Sequence, residues 1–135
     1  MFRRSRAREV ALQILYEDDL NPGRNPAVAD DFVRRRLNGE PALVEFAKSL
    51  ISGVRRNRPE LDQMLVERAA NWSLARMAAT DRNVLRLGTY EILFTETPAR
   101  VAINEALELA KRFGSKQSAQ FVNGILDRFL QEKNK

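Results

Sequence analysis

Val84-Leu-Arg-Leu-Gly-Thr-Tyr-Glu-Ile-Leu-Phe94 is apolar on most of its sides. A helix that is hydrophobic nearly all round is surrounded by other elements. The stretch therefore predicts a central helix enclosed by further helices. Gly88 in its middle costs about 1 kcal/mol of helix propensity relative to Ala. Close approach of a neighbouring helix is the usual compensation, so a tight contact is expected there. Just upstream, Thr80 is expected to cap this helix. Asp81 then falls in its first turn, where a negative charge is favourable.

Working outward, the residues on both sides also read as helix. Thr97-Pro98 opens a helix with Ile103, Ala106, Leu107, Ala110 and Phe113 expected inward. Its acids come early and its bases late, matching the dipole, and Gly114 follows as the terminating residue. A last helix is expected over about 116–131, with Val122, Ile125, Leu126 and Phe129 inward, and the tail 132–135 should fray. Before the central helix, Pro41 starts a helix carrying Leu43, Phe46, Ala47, Leu50 and Val54 on one face. Arg58-Pro59 is expected to break it, and Leu61, Met64, Leu65 and Ala69 mark a separate helix. Ser73 is expected to cap a short turn. At the amino end, Ala7, Val10, Ala11, Ile14 and Leu15 form an amphipathic stripe, with Ser5 as a candidate N-cap. Turn chemistry over 21–26 ends that helix, and a short helix over 27–37 is closed by Asn38-Gly39. No strand alternation and no internal repeat appears. The fold expected is all-α, a compact bundle of about seven helices forming one domain over 1–135.

Composition removes whole classes of chemistry. The 135 residues include no Cys and no His. Disulfides, thiolate metal sites, Ser-His-Asp triads and the usual zinc sites are thereby excluded. No Gly-x-Gly-x-x-Gly or Walker A pattern occurs, and Gly114-Ser-Lys116 lacks the rest of a phosphate loop. Glu105 and Glu108 share a helix face, where a solvated charged surface is the ordinary explanation. Asn71-Trp-Ser73 fits a glycosylation sequon by chance. No catalytic residue, metal or cofactor is expected. No apolar run approaches a membrane span and no signal sequence is expected, which fits a cytoplasmic location.

The formal net charge is +5, and Arg3, Arg4, Arg6 and Arg8 contribute +4 of it. The positive character is therefore local. It falls at a helix amino terminus, where anions are favoured and bases are not. Two roles fit the cluster: a solubilising tail, or an anion site in which arginine forks take phosphates. Arg4 and Arg8 lie one turn apart, and the cluster runs directly into the buried stripe, so it is tethered to the core. Arg34, Arg35 and Arg36, like Arg55, Arg56 and Arg58, read as basic helix ends, with a secondary nucleic-acid contact as the alternative. Phe121 sits at the margin of the last helix's apolar stripe. It is either a core-edge aromatic or a platform for an unpaired base.

Several blocks of sequence also resemble one known family. Arg4-Ser-Arg-Ala-Arg-Glu-Val-Ala-Leu-Gln-Ile-Leu-Tyr16 resembles the opening helix of the NusB transcription antitermination factors, and 81–92 resembles their central helix. Val101-Ala-Ile-Asn-Glu-Ala-Leu-Glu-Leu-Ala-Lys-Arg-Phe-Gly114, followed by Phe121-Val-Asn-Gly-Ile-Leu-Asp127, is the most specific match. The blocks occur in the family's order, and the resemblance as a whole covers nearly everything except the loop around 20–40.

The resemblance implies two packed helical halves and a non-enzymatic protein. Its ligand would be single-stranded boxA RNA of ribosomal RNA transcripts, bound together with NusE, the tenth ribosomal protein of the small subunit. Other Nus factors and RNA polymerase would be engaged indirectly. Carried over by position, RNA contact falls on Arg4, Arg6 and Arg8, with Arg3 as an extension, and on Phe121, with Gln117 and Gln120 as helpers. Partner contact falls on Asp81, with Tyr16 and Glu91 as weaker candidates. Ribosomal-RNA cytosine methyltransferases share the helical module, but they need a Rossmann-like domain and catalytic cysteines. The rival from another class is a helical protein–protein adaptor whose arginines bind an acidic partner. A homodimer that masks the RNA surface is a third state the sequence leaves open.

Overall fold

Six α-helices and one 3₁₀ turn account for most of the described residues, against the seven or so helices expected. The computed structural model describes residues 3–69 and 72–133, without the side chain of Lys133. Met1 and Phe2 of the arginine-rich segment, Asn71 of the sequon and the end of the tail at 134–135 lie outside the described residues. The elements are α1 (Arg3–Leu20), α2 (Ala27–Arg36), α3 (Pro41–Arg68), the 3₁₀ turn (Leu74–Arg76), α4 (Ala79–Phe94), α5 (Ala99–Phe113) and α6 (Ser118–Lys133). No strand occurs among the described residues. The chain divides into two compact units, Met1–Arg56 and Asn57–Lys135.

In the first unit, α1 packs against α2 through the predicted stripe, with Ala7, Val10, Ala11, Ile14 and Leu15 all buried. Ser5 is not the N-cap: α1 already begins at Arg3, so Ser5 lies inside the first turns. Asn38 and Gly39 both take left-handed backbone angles and turn the chain from α2 into α3. The Gly39 N–H closes α2 on the Arg34 carbonyl at 2.8 Å. Arg55 donates two hydrogen bonds to Asp18, at 2.7 and 2.9 Å, tying α3 to the end of α1.

The break expected at Pro59 does not occur, and α3 runs through it to Arg68. A proline inside a helix costs about 3 kcal/mol. Leu61 and Leu65, just beyond it, are fully buried. Burying two leucines returns roughly 1.5–3 kcal/mol each, which exceeds the proline cost.

In the second unit, α4, α5 and α6 pack on one another. Residues Asn83–Thr89 of α4 are buried without interruption, as the all-round apolar reading requires. A Cβ added at Gly88 would lie 2.9 Å from Leu126 Cδ1 and 3.3 Å from Ala106 Cβ, so the close approach is real. Thr80 is not the cap, because Ala78 occupies that position and Thr80 lies inside α4. On α5 the buried stripe is Ala102, Ile103, Ala106, Leu109 and Ala110, while Phe113 is exposed and Leu107 only half-buried. Small residues let α5 approach α4 at Gly88, and that rotates the stripe away from Phe113. On α6, Val122, Ile125, Leu126 and Phe129 are buried as expected. Arg86, 3 % exposed, donates to Asp62 at 2.7 and 3.0 Å, and so joins α4 to α3.

Candidate nucleic-acid interface

The arginine cluster occupies the first two turns of α1, and its members have different surroundings. Arg3 and Arg4 are exposed, and Arg6 is half-buried. Arg3 forms an ion pair with Glu40 at the start of α3. Arg6 donates to Glu9, one turn on, at 3.0 Å. Arg4 and Arg8, separated by one helical turn, both lie over the ring of Phe46, at 4.4 and 5.1 Å from its centroid. Such cation–π contacts hold the cluster against α3. A floating tail is therefore not what the structure shows.

Arg8 requires a correction. It is only 4 % exposed, so its guanidinium is packed inside the first unit rather than presented to a phosphate. Its place at i−4 from the buried Leu12 puts it on the inward side of α1. Its guanidinium shares the Phe46 ring with that of Arg4.

Of the other basic runs, Arg34, Arg35 and Arg36 end α2 as expected, whereas Arg55, Arg56 and Arg58 lie inside α3, because that helix continues through Pro59. Arg35 pairs with Asp31 at 3.0 Å, and Arg36 lies over Phe32. The hydrogen bonds that Arg55 donates to Asp18 raise its pKa above the ordinary value, holding the positive charge on a carboxylate of its own unit.

The remaining candidates except Tyr16 belong to the second unit. Gln117 precedes α6 and is exposed, Gln120 is exposed in its first turn, and Phe121 is half-buried, a core-edge aromatic with an open side. The local turn has a steric cause. A Cβ at Gly114 would come within 2.3 Å of Ser118 Oγ, which accepts the Ser115 N–H at 2.8 Å. Glycine thus leaves room for the serine that sets the entry to α6, and the Phe121 N–H then bonds the Gln117 carbonyl at 3.0 Å.

Phe121 and Asp81 line a common pocket of about 210 Å³, together with Trp72, Arg76, Gln117 and Ser118. Gln120 is not part of it. Trp72 and Phe121 meet edge to face, with centroids 5.3 Å apart and planes at 70°. Trp72 nevertheless remains 55 % exposed. Arg82 fixes the turn that carries Arg76, donating to the Leu74 and Met77 carbonyls at 2.7 and 3.0 Å. Oδ1 of Asp81 is buried and has no hydrogen-bond partner. Trp72 and Arg76 were not foreseen as site residues. The available signal was a lone tryptophan in a short segment bracketed by helix ends, where no apolar stripe claims it.

Among the partner candidates, Tyr16 and Asp81 are half-buried. Glu91 is a second correction. It is 2 % exposed, and its carboxylate accepts the Thr97 hydroxyl at 3.2 Å. That bond, with Thr95 Oγ1 donating to the Glu91 carbonyl at 2.7 Å, secures the carboxyl end of α4. A side chain enclosed in this way does not present a surface to a second protein.

With this geometry in place, comparison with known proteins is decisive. The NusB family profile matches residues 5–131. The chain belongs to the NusB family. The transcription antitermination protein NusB of Trichlorobacter lovleyi is 44 % identical over 125 residues, covering 92 % of this chain and 87 % of the relative. That of Myxococcus xanthus is 40 % identical over 139 residues, covering 100 % and 99 %. A solved structure of the antitermination factors NusB and NusE in complex with double-stranded RNA superposes with a TM-score of 0.86 at 27 % identity. The match covers 96 % of this chain and 97 % of that one. The all-helical architecture is thus that of NusB. No helix among the described residues is long and apolar enough to cross a membrane.

Proposed function

We propose that this chain is a non-enzymatic RNA-binding factor for transcription antitermination, binding boxA RNA of ribosomal RNA transcripts jointly with the ribosomal protein NusE. The observation that carries the reading is the likeness, over nearly its whole length, to a NusB solved together with NusE and RNA. The site chemistry supports it. Arg3, Arg4 and Arg6 supply phosphate-binding forks on one end of α1, with Arg4 resting on Phe46. Phe121 supplies an aromatic surface of the kind that single-stranded RNA stacks on. Tyr16 stays as a candidate contact for NusE, and Glu91 drops out. Asp81 faces two candidate ligands, the partner and the RNA, because its pocket also holds Phe121.

The test is fluorescence anisotropy with labelled single-stranded boxA RNA, the same RNA annealed to its complement, and a scrambled strand. Each is titrated with wild type and with Arg4→Ala/Arg6→Ala, with and without NusE. Selective binding of the boxA strand, strengthened by NusE and lost in the double variant, is the expected result. Equal affinity for all three RNAs would reduce the arginines to a generic anion site. No binding with NusE present would favour a protein adaptor.

A further inference from the structure

We propose that the RNA-binding surface continues from the start of α1 onto the end of α2, where Arg34 and Arg36 take phosphates of the same strand beyond those held by Arg3, Arg4 and Arg6. The inference rests on the RNA-binding reading above and adds a second contact segment to it.

Two fixed points place these segments side by side within the first unit. Gln13 and Glu17 of α1 line one cavity with Val28, Asp31 and Phe32 of α2. Earlier along α1, Arg3 pairs with Glu40, which lies beyond the end of α2. One chain therefore runs back while the other runs forward, and the last turn of α2 falls beside the turns of α1 that carry the arginines. The bond from the Gly39 N–H to the Arg34 carbonyl, at 2.8 Å, keeps Arg34 next to the residue pair that meets Arg3.

Helix-end chemistry does not use up these side chains. Bases at a helix carboxyl terminus serve its unpaired carbonyls and its dipole. In α2 the carbonyls of Val33, Arg34 and Arg35 already accept the N–H groups of Leu37, Gly39 and Asn38. Arg35 turns back to Asp31 at 3.0 Å. Arg34 and Arg36 are both exposed. Arg36 lies over the Phe32 ring, 5.3 Å from its centroid, as Arg4 lies over Phe46. A guanidinium supported on a ring keeps N–H donors for the paired oxygens of a phosphate.

The charge balance at this end favours a polyanion. Segments 3–9 and 34–46 hold seven arginines against Glu9, Glu40 and Glu45. Glu40 and Glu9 are already paired, with Arg3 and Arg6. A single RNA strand carries a phosphate on every nucleotide, so it can engage both helix ends in turn. An acidic protein would need carboxylates spaced to match both.

The test titrates the full-length protein, with NusE, against a labelled boxA strand extended at both ends by uridines, over a series of salt concentrations. Wild type is compared with Arg34→Ala/Arg36→Ala and with Arg34→Lys/Arg36→Lys. Arg100→Ala/Lys111→Ala serves as a control, since it removes the same charge from exposed positions on α5. Affinity for labelled NusE without RNA is measured in parallel. Two phosphate contacts contribute about 1.4 to the slope of log affinity against log salt, or roughly a sevenfold loss between 50 and 200 mM. The alanine pair is expected to lose that portion of the slope, and the lysine pair and the control are expected to keep it. An unchanged slope in the alanine pair, or an equal loss in the control, would overturn the second segment and leave the α1 site standing. Weaker NusE binding by the alanine pair, with its RNA slope unchanged, would make this a protein-binding face and overturn the proposal. Absence of RNA binding by wild type, with or without NusE, would overturn both readings together.

Discussion

Replacing Arg3, Arg4 and Arg6 together by Ala should flatten the salt dependence of RNA binding, whereas Arg8→Ala should leave it unchanged. Each phosphate contact on a single strand contributes about 0.7 to the slope of log affinity against log salt. Three contacts therefore contribute a slope of about 2, or roughly a twentyfold loss of affinity between 50 and 200 mM salt. The triple variant should lose that portion of the slope. Arg3 must leave Glu40, and Arg6 must leave Glu9, before either meets a phosphate, so those two can fall short of a full contact. Arg4, stacked on Phe46, should account for a full contact, about 0.7 of the slope.

Arg8 is the discriminating residue. Its guanidinium is buried against Phe46, so Arg8→Ala removes packing and a cation–π contact worth about 1–2 kcal/mol of stability. Anisotropy at four salt concentrations measures the slope, and urea unfolding of the same variants measures stability. A slope that falls by about 0.7 for Arg8→Ala alone, with stability unchanged, would refute the assignment of Arg8 to the interior.

Other consequences concern the scaffold. Gly88→Ala gains about 1 kcal/mol of helix propensity but drives a methyl into Leu126 and Ala106, at an overpacking cost of about 1–3 kcal/mol. A net loss of about 1 kcal/mol in urea unfolding is expected, and a gain would mean that α6 yields freely. Asp62→Ala leaves the buried Arg86 without its carboxylate, and about 3 kcal/mol should be lost, the lower end of the range because Asp62 is partly exposed. An unchanged thermal midpoint would show that the pair contributes nothing. Pro59→Ala restores a helix donor at an exposed position and should stabilise by about 2 kcal/mol once the looser unfolded chain is counted. A loss of stability would show that the proline ring fills a contact of its own.

The fold was legible where apolar contrast is steep. Val122, Ile125, Leu126 and Phe129 fall at i, i+3, i+4 and i+7 with polar residues between them, and all four are buried. The α5 stripe was less legible because three of its five buried residues are alanines, Ala102, Ala106 and Ala110. Leu107 and Phe113 then look like the better core residues, although the close approach at Gly88 favours the small ones. Pro59 misled because a breaker signal is local, whereas the burial of Leu61 and Leu65 that overrides it is tertiary. Arg8 and Glu91 misled for the opposite reason. Each is a charge, and each sits in register with buried neighbours, Arg8 with Leu12 and Leu15, Glu91 with Leu87 and Gly88.

The same contrast explains what was hidden in the candidate site. Arg3, Arg4 and Arg6 could be read directly, since a run of like charges needs no partner to be noticed. The pocket is assembled from the segment before the 3₁₀ turn, the turn itself, the first turn of α4 and the entry to α6. No single stretch carries its pattern, so Trp72 and Arg76 looked like incidental residues between helices. One property did mark Trp72: a large aromatic outside every apolar stripe has no core to enter. Leaving such a surface 55 % exposed is an unfavourable use of apolar area unless something covers it.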